Sequence, residues 1–182
     1  MRRDRTRPTR VGADSRSFSP LSSFVRMPYV LRQVAVGLAV VLLQWLLSNL
    51  RLWDVWPDVV LLYVAYIALR RGRVAGATAG FGAGLAMDLL VMPDVLGLNT
   101  VLKTIMGFVI GLFRSEQGDN LRLTPVQAFV GAFVIAVVHN GLLTIVLALD
   151  QSTRTPFLVF GLWLGGALYT AIVALVGSLF RR

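Results

Sequence analysis

The chain has 182 residues, 56% hydrophobic and 15% charged, with no cysteine, a net charge of +9 and a mean hydropathy of +0.72. Soluble domains carry about a quarter charged residues, so this composition excludes an ordinary soluble enzyme and points to a polytopic membrane protein. The lack of cysteine excludes disulfides and any thiol-based metal or redox centre.

Residues 1–28, "MRRDRTRPTRVGADSRSFSPLSSFVRMP", are rich in Arg, Ser and Pro and read as a disordered cytoplasmic tail. Beside a membrane helix, such a tail suits anionic lipid headgroups and orientation rather than nucleic acid. It is no signal peptide, because the first apolar block starts late, is too long and lacks a small-residue cleavage site.

Residues 29–182 read as one six-helix transmembrane domain. A crossing needs about 20 apolar residues, and the candidates in chain order are 30–50, 57–70, 73–92, 95–113, 125–149 and 156–180. The second is short and opens at Pro57, a favoured first-turn residue. The breaks between spans are too short to form a domain. In a six-span arrangement the tail, "RRGR", Arg114, Arg122, Arg181 and Arg182 fall on one side. The other side holds Arg51 and Arg154 with Asp54, Asp58, Asp94 and Asp150. Because Lys and Arg concentrate on the cytoplasmic side, both termini are expected inside. Trp45, Trp53, Trp56 and Tyr29 stand at or near the expected interfaces as an aromatic belt.

The third and fourth spans carry two stripes at four-residue spacing. Gly72, Gly76, Gly80, Gly84 and Asp88 form one, and Asn99, Lys103, Gly107 and Gly111 the other. Residues four apart share a helix face, and glycine there lets two backbones approach closely in lipid. A hairpin turning at Met92–Val95 brings the glycines together in the inner half and the polar groups together in the outer half. At the helical rise, Asp88 and Asn99 lie roughly 9 Å below the outer turn, Gln44 about 13 Å, Lys103 about 15 Å and His139 about 16 Å. Asn140 adjoins His139. Lys103 is the only lysine and His139 the only histidine.

Uncompensated charges at that depth cost on the order of 3 kcal/mol each. Asp88 and Lys103 are therefore expected to be partners, directly or through Asn99 or water, in a polar cluster facing the bundle interior. For this pair a helix-joining role and a functional role stand level. Gln44, Asn99 and Asn140 read as polar residues that join helices. A lone histidine cannot build a metal site unaided, so His139 reads as a hydrogen-bonded interior residue. The sequence contains no GxSxG elbow, HExxH or Walker A motif. Ser48 and Ser178 lie far in depth from His139, and Asp88 is the one aspartate well inside a span. No enzyme, cofactor or metal is expected.

The segment "PDVVLLYVAYIALRRGRVAGATAGFGAGLAMDLLVMPDVLGLNTVLKTIMGFVIGLF" resembles the bacterial rod shape-determining family MreD. The pattern is carried in order by Pro57, Asp58, Gly80, Phe81, Gly84, Leu85, Asp88, Gly97, Leu98 and Asn99. The resemblance implies a non-enzymatic component of the inner membrane, in the rod or elongation complex. Its implied partners are MreC, RodA, a penicillin-binding transpeptidase and, indirectly, MreB. Its implied role is to support lateral peptidoglycan synthesis and rod cell shape. The long arginine-rich tail departs from the family. The family is also similar in pattern to the S components of energy-coupling-factor transporters, six-span bundles with an outward ligand pocket. That likeness implies an S-component-like bundle and, as the alternative, a substrate-binding subunit of a vitamin-type transporter.

Overall fold

The computed structural model describes residues 27–49, 55–91, 96–114, 123–150, 155–156 and 158–180. Six α-helices follow one another: α1 Met27–Asn49, α2 Val59–Arg71, α3 Arg73–Val91, α4 Leu98–Leu112, α5 Pro125–Leu147 and α6 Gly166–Leu179. A π-helical stretch, Leu158–Gly165, runs directly into α6. The described residues contain no strand. Among the described residues, three helical segments are long and apolar enough to cross a membrane: Leu31–Ser48 in α1, α5, and Val159–Leu179 through the π-helical stretch. α4 is apolar but shorter.

Local chemistry accounts for the ends. Thr124 caps α5: its hydroxyl accepts from the Gln127 N–H, the Gln127 side chain accepts from the Thr124 N–H, and Pro125 occupies the first turn, a reciprocal capping box. A single residue, Gly72, separates α2 from α3. Its φ of 87° is open to glycine and strained for other residues, and its N–H returns to the Ala68 carbonyl as a helix C-cap. Gly72 thus forms the turn between α2 and α3, and its backbone also lies against Gly111 of α4. α1 starts at Met27, two residues inside the expected tail. The Met92–Val95 turn, residues 1–26, Arg51, Trp53, Asp54, Arg122, Arg154, Arg181 and Arg182 lie outside the described residues.

α2 occupies the middle of the bundle. Leu61, Ala65 and Ala68 pack with Met106 and Ile110 of α4, Ala136 of α5 and Ala167 of α6. Val60 and Val64, on another face, meet Val41 of α1 with Ala83 and Met87 of α3. The most intimate pair is α3 with α4. A Cβ at Gly76 would strike the Gly107 carbonyl, and one at Gly80 would strike the Lys103 carbonyl. A Cβ at Gly84 would stand 2.6 Å from the Thr100 Cα, and one at Gly111 would overlap the Gly72–Arg73 backbone. The two backbones touch because no side chain intervenes.

The bundle is apolar outside, and its largely apolar interior holds a small set of buried polar side chains. α4 exposes Val101, Ile105, Phe108 and Leu112 while burying Thr100 and Lys103. Surfaces of that kind are stable against lipid and not against water.

Candidate functional site

α2 begins deep in the bundle. Its 13 residues reach only about 20 Å, against a hydrocarbon core of about 30 Å. Asp58 caps its start: one carboxylate oxygen accepts from the Leu61 N–H at 2.7 Å. The other accepts from the Lys103 ammonium of α4 at 2.5 Å. The carboxylate thus meets two positive ends, a helix N-terminus and an ammonium. Lys103 is 1% exposed and the Asp58 side chain 17%, so what access the pair has is through the carboxylate.

Three further helices close on this point. Gln44 of α1 accepts from the Val59 N–H at 2.7 Å, another unpaired donor of the α2 start. Thr170 of α6 accepts from the Asp58 N–H at 2.9 Å and donates to the Gly166 carbonyl at 2.8 Å. His139 of α5 sets Nδ1 3.8 Å from the Asp58 carboxylate. Gln44, His139 and Thr170 are each almost wholly buried. The start of α2 is therefore a node where α1, α4, α5 and α6 each deliver one polar side chain.

The Asn140 amide donates to the Leu162 carbonyl at 3.2 Å and the Trp163 carbonyl at 3.5 Å in the π-helical stretch. A Cβ at Gly166 would stand 2.9 Å from that amide nitrogen, so glycine makes room for the contact. These bonds turn the Asn140 oxygen toward His139 Nδ1, 3.1 Å away. The network thereby assigns the proton of a neutral ring to Nδ1. Nε2 is left as a buried acceptor with no partner among the described residues.

Asp88 does different work. Gly97, at the N-cap of α4, offers no side-chain cap. Asp88 reaches across from α3 and supplies one. One of its oxygens accepts from the Asn99 N–H and side-chain amide at 3.3 and 3.0 Å. The other accepts from the Thr100 N–H at 2.9 Å and hydroxyl at 2.6 Å. Those two N–H groups are orphan donors of a helix start, and a buried anion is well placed there.

Asp88 and Lys103, expected as partners, thus go to different places: Lys103 to Asp58, and Asp88 to Asn99 and Thr100. The short reach of α2 is the reason. Equal span lengths put Asp58 at the outer interface, whereas a short helix anchored at its arginine end carries that residue down to the lysine. Its N-cap position ahead of "VVLLYV" was the available signal. Thr100 and Thr170 were also missed. Their hydroxyls carry no charge pattern to betray them. Gln44, Lys103 and His139 do meet at the node, Asn140 beside it, and Asn99 with Asp88. A groove of about 520 Å³ lies elsewhere, between α1, α2 and α3, and none of these six residues lines it.

The family model described as rod shape-determining protein MreD matches residues 24–182. The chain belongs to the MreD family. It is thus a rod shape-determining membrane protein. No curated protein and no solved structure gives a significant match. The residues that carried the MreD resemblance now have positions: Asp58 and Asp88 hold two helix starts, Gly80 and Gly84 lie in the α3–α4 seam, and Gly97 turns into α4 with a φ of 89°. Phe81 and Leu85 face outward.

Proposed function

We propose that this MreD chain is a non-enzymatic scaffold of the bacterial cytoplasmic membrane that binds MreC and supports lateral peptidoglycan synthesis and rod shape. The observation that carries this reading is the family match over residues 24–182. In this reading the chain crosses the membrane six times with both termini inside, and RodA, a penicillin-binding transpeptidase and, indirectly, MreB are its further partners. The node at the α2 start supports a scaffold role, because a satisfied ion pair with capped helices fixes helix positions and leaves little chemistry to perform. A vitamin-type transport subunit would instead present the same polar side chains to a ligand. Here Gln44, Asn99, Lys103 and Asn140 bond to backbone and to neighbouring side chains.

Affinity purification of the tagged chain from its own membranes tests the reading. It predicts that MreC, with a single membrane helix, co-purifies in near-stoichiometric amount. Recovery of an ATPase module with a coupling subunit, and no MreC, would replace it with the transport reading.

A further inference from the structure

The groove between α1, α2 and α3 has no place in the scaffold argument. Its apolar wall is built from Gly37 and Val41 of α1, Tyr63 of α2, and Ala79, Gly82 and Ala86 of α3. It exists because α1 leans on the bundle at Val41 and Gln44 while its earlier residues, Leu31, Val34 and Leu38, stay exposed. The small side chains of α3 then leave a smooth floor beneath α1.

Length and volume select the occupant. Along α3 the lining runs from Ala75 to Ala86, roughly 16 Å at the helical rise. That is about one leaflet of a hydrocarbon core about 30 Å thick. The groove's volume of about 520 Å³ gives room for a single flexible hydrocarbon chain.

Charge selects the headgroup. Arg71 and Gln33 line the groove at one end. Arg32, Arg70 and Arg73 adjoin that end in sequence at the start of α1, the end of α2 and the start of α3. The acidic residues among those described are Asp58, Asp88 and Asp150, and none lies at the arginine end of α2. A guanidinium has five donors, so Arg71 can hold a phosphate while keeping bonds within the protein. Basic pockets between membrane helices suit anionic lipid headgroups.

We propose that this groove is a binding site for one anionic phospholipid. An acyl chain lies along Ala79, Gly82 and Ala86, and the phosphate lies against Arg71. The inference rests on the membrane reading of the chain and not on its partners. It applies to whichever leaflet the arginine end faces.

The test is native mass spectrometry of the full-length chain, delipidated in mild detergent and offered phosphatidylglycerol or phosphatidylcholine. The wild-type chain is expected to retain one phosphatidylglycerol and to prefer it over phosphatidylcholine. Arg71→Gln should reduce that preference about fivefold, the share of one basic side chain near an anionic surface. Gly82→Phe puts a ring into the groove from a position where an added Cβ meets nothing within 4 Å. It should abolish retention of the lipid and leave the melting temperature unchanged. Ala79→Leu is a second filler should the Phe variant fail to fold. Equal retention of the two lipids by the wild-type chain would overturn the proposal. So would undiminished retention in the folded filler variants, or a polypeptide that both fillers displace. Co-purification of MreC reads the scaffold role separately, so failure here leaves that role standing.

Discussion

Asp58, Asp88 and Lys103 explain how charges survive inside an apolar bundle. Each carboxylate stands at a helix start, and the one ammonium stands on a carboxylate. Removing one partner of a buried pair strands the other, at about 3–5 kcal/mol. Asp58→Asn and Lys103→Met should each destabilise by that order in detergent melts, and the double variant should recover part of the loss. A double-mutant cycle should give coupling above 0.5 kcal/mol for this pair, on the order seen for residues in contact, and less for Asp88 with Lys103. The reverse ranking would restore the pairing expected from the stripes. Asp88→Ala should act through α4 instead, leaving the Asn99 and Thr100 N–H groups orphaned at about 1–3 kcal/mol each. The loss should appear as faster amide exchange at the α4 start. That Asp88, Lys103 and His139 would be buried was legible in the sequence, because apolar blocks around a charge leave it nowhere else to go. Which carboxylate meets the lysine was not legible, because that depends on how far down a short helix ends.

The helices themselves were mostly legible. The expected spans cover all six helices, but the caps at Asp58, Gly72 and Thr124 became visible only in the structure. The α3–α4 seam followed from glycine spacing alone, since four-residue periodicity names a face. The π-helical stretch had no such signal; it is where the Asn140 amide meets the Leu162 and Trp163 carbonyls, a tertiary contact. The seam makes a sharp distinction among glycines on one helix. Gly80→Ala pushes a methyl into the Lys103 carbonyl, and overpacking of that kind costs about 1–3 kcal/mol. Gly82→Ala enters open space and should stabilise by up to about 1 kcal/mol by restricting the unfolded chain. Melting temperatures of the two variants should therefore move in opposite directions. A common shift would mean that α3 and α4 do not touch as described.

For the whole molecule, polar groups gather around the α2 start while Leu, Val, Ile and Phe cover the outside, as lipid solvation requires. The proposed six crossings with both termini inside require reporter fusions at Arg182 and within residues 150–156 to report opposite sides of the membrane. The same side for both would remove the six-crossing topology. Membership of the MreD family makes the sharper demand, that this chain determine cell shape. The direct measurement is the aspect ratio of rod-shaped cells depleted of their own MreD and supplied with this chain together with its cognate MreC. The account predicts recovery of rods by the wild-type chain, and round cells when the node is broken by Lys103→Met. Cells that stay round with the wild-type chain folded in the membrane at native abundance would contradict it.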